Sequence, residues 1–193
     1  MVPTPVPTWD LPLAERPMKA DRAPKLPPTA YFETSIVSGF ARKQMSEQEQ
    51  AATVRLFELW HEERVSLVTS SVTNDELDRV PPEHRPEHEA VYACLRKIPT
   101  VDEQTVWSRA VKAGSQVYPP AVVNDPDFGP LQEMLRDRPD ALHIFQAFKN
   151  GVDYLVTRDE ATILVHAAEL EAHFGVRVVL PSALVAVLDR AAN

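Results

Sequence analysis

The sequence predicts an α/β fold, specifically a three-layer α/β/α sandwich around a mostly parallel central sheet. Short runs of β-branched and aromatic residues alternate with helix-like segments along most of the chain. This alternation implies parallel strands joined by helices on both faces of the sheet. The chain has 193 residues, of which 44% are hydrophobic and 25% are charged. That composition is typical of a globular protein, and the length suits one ordinary domain with an extension.

The N-terminal segment differs in composition from the rest of the chain. Residues 1–28 contain eight of the 18 prolines. Because proline removes a backbone N–H donor and fixes φ, we expect residues 1–28 to form an extended or disordered arm. The α/β domain is then expected to occupy residues 29–193.

Five short runs predict the strands of the sheet, because β-branched and aromatic residues favour extended backbone. The run at 98–101 is the weakest of the five. The runs are 29–32 (TAYF), 65–69 (VSLVT), 98–101 (IPTV), 152–157 (VDYLVT) and 176–180 (VRVVL).

Helices are predicted where capping residues precede apolar residues at helical spacing. Ser46 and Glu49 form a capping box before one such segment, and Thr73 and Glu76 form a second box. We expect a long loop over residues 114–139 that contains one short helix. Further helices are predicted at 90–95, near Trp107, at 131–135, at 141–148, from about 160 to 174 and from 181 onward.

The charge balance limits the partners that the chain can attract without help. The formal net charge is −8, whereas binding to nucleic acid is driven largely by neutralisation of phosphates. Any role on nucleic acid therefore requires a local basic surface or a bound cation.

Cysteine usage and hydropathy point to a soluble cytoplasmic protein with no membrane partner. Cys94 is the single cysteine, so no intramolecular disulfide can form, and we expect this side chain in the core. A thiol-poor chain fits a reducing cytosol. The N-terminus lacks the basic start and apolar core of a signal peptide. The longest apolar stretch, 176–188, is too short to span a bilayer and contains Arg177 and Pro181.

Four acidic residues are placed where a parallel sheet would gather them at one edge. Glu33, Glu76, Asp140 and Asp159 each close a strand-like run or open a helix-like one. In open α/β sheets, ligands bind outside the carboxyl ends of the strands. Clustered carboxylates suit hard cations such as Mg²⁺ or Mn²⁺. The pattern therefore predicts metal-dependent chemistry on phosphate esters.

Each acid also has a structural explanation when it is considered alone. Glu76 fits the second capping box, Asp159 fits a helix N-cap, and Asp140 fits a first helical turn, where the macrodipole favours a carboxylate. Glu33 is harder to explain, because the carboxyl end of a central strand is a costly place to bury a charge. The separate explanations do not account for all four acids falling at one edge, whereas a cation would make that clustering favourable.

Three motifs give the chain a resemblance to a known family. They are 31–38 (YFETSIVS), 69–72 (TSSV) leading to Glu76, and 140–144 (DALHI) followed by 153–159 (DYLVTRD). Together they resemble PIN-domain proteins over residues 31–184, and among these the VapC-type toxins of type II toxin–antitoxin systems. The sequence is thus identified as PIN-like over residues 29–193, beyond the arm.

The resemblance implies a Mg²⁺- or Mn²⁺-dependent endoribonuclease. Glu33, Asp140 and Asp159 would be direct or water-mediated metal ligands, and Glu76 would complete the catalytic cluster. The family's usual first acid is aspartate, so Glu33 is a departure that shifts the metal or requires the strand to retreat. The arm and the segment 114–139 also exceed the size of a minimal PIN toxin.

Four more residues are candidates around the acids. Thr34 and Thr157 would orient carboxylates through their hydroxyl groups. Arg158 could meet a phosphate, although an arginine before a helix is as often structural, and His143 could touch substrate. The resemblance further implies an RNA substrate, a small antitoxin partner and a homodimer.

Two other functions compete with the ribonuclease interpretation. The first is a PIN-like module that binds RNA or protein without cutting, which weak metal binding through Glu33 would favour. The second is a metallo-phosphoesterase acting on structured DNA, which would be expected to carry a helical arch and a basic channel.

Overall fold

Parallel strands form the central sheet in the part of the chain that the structure describes. The structure is a computed structural model that describes residues 27–95, 97–101 and 125–191. The strands are Thr29–Phe32 (β1), Ser66–Val68 (β2), Tyr154–Val156 (β3) and Arg177–Val179 (β4). They lie in the order β2-β1-β3-β4, and every neighbouring pair is parallel.

Helices connect and cover these strands. In chain order they are Thr34–Ala41 (α1), Glu47–His61 (α2), Ser71–Asp78 (α3), Arg85–Leu95 (α4), Phe128–Leu135 (α5), Arg138–Lys149 (α6), Ala167–Phe174 (α7) and Pro181–Arg190 (α8). None of the helices in the described part of the chain has the length and apolar character needed to cross a lipid bilayer.

The sheet is buried between two hydrophobic cores, which confirms the predicted three-layer α/β/α architecture. Alternate residues of β1 point to opposite faces, so Ala30 and Phe32 enter one core while Tyr31 enters the other. The first core joins β1 to α1, α2 and α8, and the second joins it to α5, α6 and α7. Helices on both faces explain why the strands are apolar without alternation.

The chain changes direction between the two central strands. From β1 it continues to β2 on one side, and it later returns as β3 on the other side. The carboxyl ends of β1 and β3 therefore form a topological switch point, which is where open α/β sheets bind ligands. Here Glu33 follows β1, Thr157 follows β3, and Glu33 N donates to Val156 O at 3.2 Å.

One helix, α1, was not predicted at all. Its sequence TSIVSGFA is rich in β-branched residues and contains Gly39, which all lower helix propensity. The helix begins because Glu33 acts as its N-cap and accepts a hydrogen bond from Ser35 N. Tertiary packing of Ile36 and Val37 then stabilises it.

The predicted capping box at Thr73 and Glu76 is wrong. The helix begins at Ser71, and the capping hydroxyl belongs to Ser70, which accepts from Val72 N. Thr73 is buried inside the helix, where its hydroxyl lies 3.5 Å from Phe32 O. Because Glu76 is not needed for the cap, its carboxylate is directed elsewhere.

The predicted helix from 160 to 174 is also wrong in its first half. Asp159 Oδ1 accepts from Ala161 N and Thr162 N, which forms a turn, and α7 begins only at Ala167 after the 3₁₀ turn Leu164–His166. Asp159 therefore caps a turn and not an α-helix.

Smaller differences concern the weaker segments. The run 98–101 contributes one bridge, between Thr69 and Thr100, and not a strand. The helix α5 begins three residues earlier than predicted, at Phe128. Cys94 is exposed and not in the core. The predictions for residues 1–26, the helix near Trp107 and the loop 114–124 lie outside the described residues.

The capping box predicted at Ser46 and Glu49 can be tested through its effect on the stability of the protein. Ser46 does cap α2 by accepting from Glu49 N, but the Glu49 carboxylate accepts from Ser182 N at 3.0 Å and from the Ser182 hydroxyl at the start of α8. Removing it in Glu49→Ala should lower the free energy of unfolding by about 1 kcal/mol, because α8 loses its cap. The measurement is the urea midpoint. The matched control is Glu47→Ala, an exposed acid in the same turn, and an equal loss in both variants would contradict the cap.

Candidate metal centre

Three side chains with metal-binding atoms converge at the carboxyl edge of the sheet. Glu33 comes from the end of β1, Glu76 from α3 and His143 from α6. One ligand atom of each lies within 4.8 Å of those of the other two. Three separate parts of the chain therefore meet at the switch point.

The Glu33 carboxylate is held in place by the segments that follow β1 and β3. Ser35 N donates to Oε1 at 2.9 Å, and Oε2 accepts from the hydroxyls of Thr157, at 2.8 Å, and Ser35. These hydroxyls are themselves fixed, because Ser35 Oγ accepts from Arg158 N and Thr157 Oγ1 accepts from Asp159 N. Oε2 thus accepts two hydrogen bonds from hydroxyl groups. Oε1 accepts one from a backbone N–H and is the Glu33 oxygen nearer to the other residues of the centre.

Glu76 reaches the centre from α3 and is partly accessible, with 25% of its side chain exposed. Its Oε2 accepts from the Thr34 hydroxyl and lies 3.1 Å from His143 Nε2. Burial raises the pKa of Glu76, but the hydrogen bond and charge of His143, together with the Thr34 hydroxyl, outweigh it and hold the pKa below its usual value. Glu76 is therefore ionised at neutral pH.

His143 is buried, with 1% of its side chain exposed. Its Nδ1 lies 2.8 Å from Tyr31 Oη, which also bonds to the Ser70 hydroxyl. Burial lowers the pKa of His143, but Tyr31, Glu76 and Glu33 together raise it well above the ordinary value. In the absence of a cation, a protonated imidazole would therefore offset part of the negative charge at the centre.

Asp140 lies one helical turn before His143, at the start of α6. Its Oδ2 accepts from the Thr162 hydroxyl at 2.6 Å. Desolvation raises the pKa of Asp140 to about 6, and although the Thr162 hydrogen bond lowers it, the charges of Asp137, Asp159 and Glu33 add to the rise. Asp140 is thus in the electric field of the centre, although it is not one of the three residues within 4.8 Å of one another.

The remaining predicted residues surround the centre in different ways. Asp159 is half-buried, and its Oδ1 is occupied by the turn that it caps. The Arg158 guanidinium contacts the backbone after α1, where its Nη1 donates to Gln44 O at 2.7 Å. Its side chain also covers Gly39, where an added Cβ would lie 2.7 Å from Arg158 Cδ. Through this hydrogen bond and this packing, Arg158 connects the end of α1 to the segment after β3.

Sequence reasoning missed three residues that shape the centre: Tyr31, Ser35 and Ser70. Ser35 is part of the YFETS motif, directly after the predicted Thr34, so its position was a usable signal. Tyr31 carries a weaker signal, because a tyrosine inside a buried strand usually needs a partner for its hydroxyl. Nothing in the sequence identifies Ser70 as that partner.

The donor set fits a divalent cation. Glu33 and Glu76 place two carboxylates beside one imidazole, and both ligand types occur in sites for divalent metals. A cation would also offset the cost of burying the Glu33 carboxylate, which is 5% exposed.

Comparisons with protein-family models, curated proteins and solved structures gave no match. The chemistry of this centre is therefore inferred from its side chains and their positions in the sheet. These side chains share one edge of the sheet, hydroxyl groups hold Glu33, and His143 is buried.

The Thr157 hydroxyl is expected to stabilise the fold measurably. Thr157→Val should lower the free energy of unfolding by about 1–3 kcal/mol, because a buried carboxylate and Asp159 N each lose a partner. Thr157→Ser is the matched control, since it keeps the hydroxyl, and it should lose less than half as much. Both values come from urea unfolding in EDTA. Equal losses in the two variants would mean that the methyl group matters and the hydroxyl does not.

The raised pKa of Asp140 predicts how the stability of the protein changes with pH. Its carboxyl is protonated in both states below about pH 3.8 and ionised in both above about pH 6, so the folded state binds more protons in between. Stability therefore falls as pH rises through that window. Asp140→Asn should remove this loss, so its stability relative to wild type should increase from pH 4 to pH 7. Urea midpoints in EDTA measure it, with the exposed Asp78→Asn as control, and a constant difference across the window would refute the assignment.

Proposed function

We propose that the protein is a metal-dependent endoribonuclease of the PIN type that hydrolyses phosphodiester bonds in RNA. The observation that carries the proposal is the convergence of Glu33, Glu76 and His143 at the switch point of a parallel sheet, with Asp140 and Asp159 beside them. Acidic residues from distant segments meet at one edge of the sheet. Metal-assisted phosphate chemistry explains this clustering better than a separate structural role for each acid does.

The residues of this chain would bind and orient the reactants. A bound divalent cation would polarise the scissile phosphate and lower the pKa of a water molecule. Glu33 and Glu76 would help to hold that cation, while Ser35, Thr34 and Thr157 keep their carboxylates oriented. With a pKa of about 6, the Asp140 carboxylate can accept a proton near neutral pH.

The acidic net charge of −8 shapes the choice of partners. The cation itself would supply the local positive charge that an RNA phosphate needs. A small antitoxin with a basic tail would be attracted to the acidic centre and would block it. The acidic charge suits a free RNA-binding protein poorly but is compatible with a basic antitoxin tail, and on this proposal the protein would be the toxin of a type II toxin–antitoxin pair, acting in the cytoplasm on RNA as a homodimer.

A PIN-like binding module without catalysis is the second candidate. The observation in its favour is the position of His143, whose Nε2 lies 3.1 Å from Glu76 Oε2 and 3.9 Å from Glu33 Oε1. A protonated imidazole there would offset part of the charge of the acids without any metal. Such a protein would bind its partner and cut nothing.

Cleavage of a labelled RNA pool distinguishes these candidates. Purified protein is assayed with Mg²⁺, with Mn²⁺ and with EDTA, beside Glu33→Gln and Asp140→Asn. We expect metal-dependent cutting that falls about 100-fold or more in each variant, since both lose an ionised group from the centre. The matched control is Asp78→Asn, an exposed change of the same charge, which should cut normally.

Two results would redirect the proposal. RNA binding without cutting, in protein that binds no metal by calorimetry, would establish the binding module. Cutting that survives EDTA would rule out a metal-dependent nuclease. Growth arrest on expression of the wild type, relieved in Asp140→Asn, would support the toxin assignment separately.

A further inference from the structure

The two ring nitrogens of His143 face different kinds of neighbour. Nδ1 lies 2.8 Å from Tyr31 Oη. Nε2 lies 3.1 Å from Glu76 Oε2 and 3.9 Å from Glu33 Oε1. One nitrogen is thus fixed by a phenol, while the other faces an oxygen atom from each of two carboxylates.

This pattern matches the support that proteins give to a histidine ligand. Histidines that bind metals almost always donate the N–H of the other nitrogen to a nearby acceptor, which fixes the tautomer and the ring orientation. With the proton on Nδ1, His143 would donate to Tyr31 Oη, and Tyr31 would donate onward to the Ser70 hydroxyl. In the metal-free protein Nε2 can donate its own proton to Glu76 Oε2, and a cation that replaces this proton would find Nε2 free to bind it beside the two carboxylates.

The separations between the ligand atoms also suit one cation. Two ligands that are each roughly 2.1 Å from the same ion lie about 3–4 Å apart, depending on geometry. The distances from Nε2 to Glu76 Oε2 and Glu33 Oε1, 3.1 and 3.9 Å, fall in that range. A cation could therefore be accommodated by small side-chain movements.

We propose that His143 is a metal ligand through Nε2, completing a two-carboxylate, one-imidazole site with Glu33 and Glu76. Because His143 is buried, a large substrate has little access to it. The inference deepens the proposed function and rests on it only for the idea that a metal is bound. Tyr31 is then a positioning residue that sets the imidazole tautomer.

The site should prefer Mn²⁺ to Mg²⁺. Mg²⁺ takes oxygen ligands almost exclusively and keeps much of its water, whereas imidazole raises the affinity of a site for first-row transition metals. An all-carboxylate site would discriminate much less between the two ions. Metal preference is therefore a consequence of His143 that can be measured without any RNA.

The test is pulsed electron paramagnetic resonance of the full-length wild-type protein loaded with Mn²⁺. A coordinated imidazole should give nitrogen couplings that change when histidine is labelled with nitrogen-15. The matched control is His166→Gln, because His166 also lies 3.1 Å from a carboxylate, that of Glu169, but outside the centre. The control should keep the couplings and His143→Gln should lose them.

Calorimetry supplies the second measurement. We expect His143→Gln to weaken Mn²⁺ binding by at least the roughly 10- to 100-fold that is typical when only the hydrogen-bond support of a ligand is lost, and to weaken Mg²⁺ binding less. Tyr31→Phe should weaken Mn²⁺ binding as well, because the Nδ1 proton loses its acceptor. Circular dichroism confirms that each variant is folded, and the wild-type spectrum decides the question if His143→Gln is not.

The outcomes separate this inference from the proposed nuclease activity. Nitrogen couplings from His143 without RNA cleavage would support the ligand assignment and count against the nuclease. Metal-dependent cleavage without nitrogen couplings, and with equal affinity for Mn²⁺ and Mg²⁺, would overturn the ligand assignment and leave the nuclease standing. Failure to bind Mn²⁺ would also overturn the assignment.

Discussion

Burial of the Glu33 carboxylate at the centre of the sheet is the constraint on which the surrounding structure depends. An ionised group at 5% exposure is unfavourable unless donors and opposite charge surround it. Here the donors are Ser35 and Thr157, and the charge comes from His143 or from a cation. Because those donors follow β1 and β3, the pairing of the two central strands and the stability of the buried charge depend on each other.

The same constraint explains which helices form. Glu33 both enters the centre and caps α1, so one side chain joins helix initiation to the chemistry of the edge. At α3 the two tasks are divided, because Ser70 caps the helix and Glu76 extends to the centre. Of the acids around the centre, Glu33 and Asp140 lie at helix starts, where backbone N–H groups favour negative charge, whereas Glu76 comes from the last turn of α3.

The sequence allowed the layer architecture and most elements to be predicted because their signals are local. The strand at 29–32 was predicted with its observed bounds, and the acid at its end was recognised as unusual. The helix α1 was missed because its β-branched residues favour a strand locally and only packing decides otherwise. The part played by His143 could not be predicted, since its Tyr31 contact joins residues 112 positions apart.

Glutamate at position 33 also has a structural logic beyond its difference from the aspartate usual in the resembled family. Its longer side chain lets one oxygen accept two hydroxyls while the other accepts a backbone N–H. A shorter acid in the same position would have to give up part of this network. The hydroxyls and the acid are therefore best considered as one unit.

The close contact between Gly39 and Arg158 limits which residues can replace this glycine during evolution. An alanine at position 39 would be acceptable in an isolated helix, yet here its methyl group would displace the arginine that precedes Asp159. Tolerance at this glycine should therefore depend on which residue occupies position 158. In a library that varies both sites, the two positions would show epistasis, and sequences that drift at one would be selected for compensating change at the other.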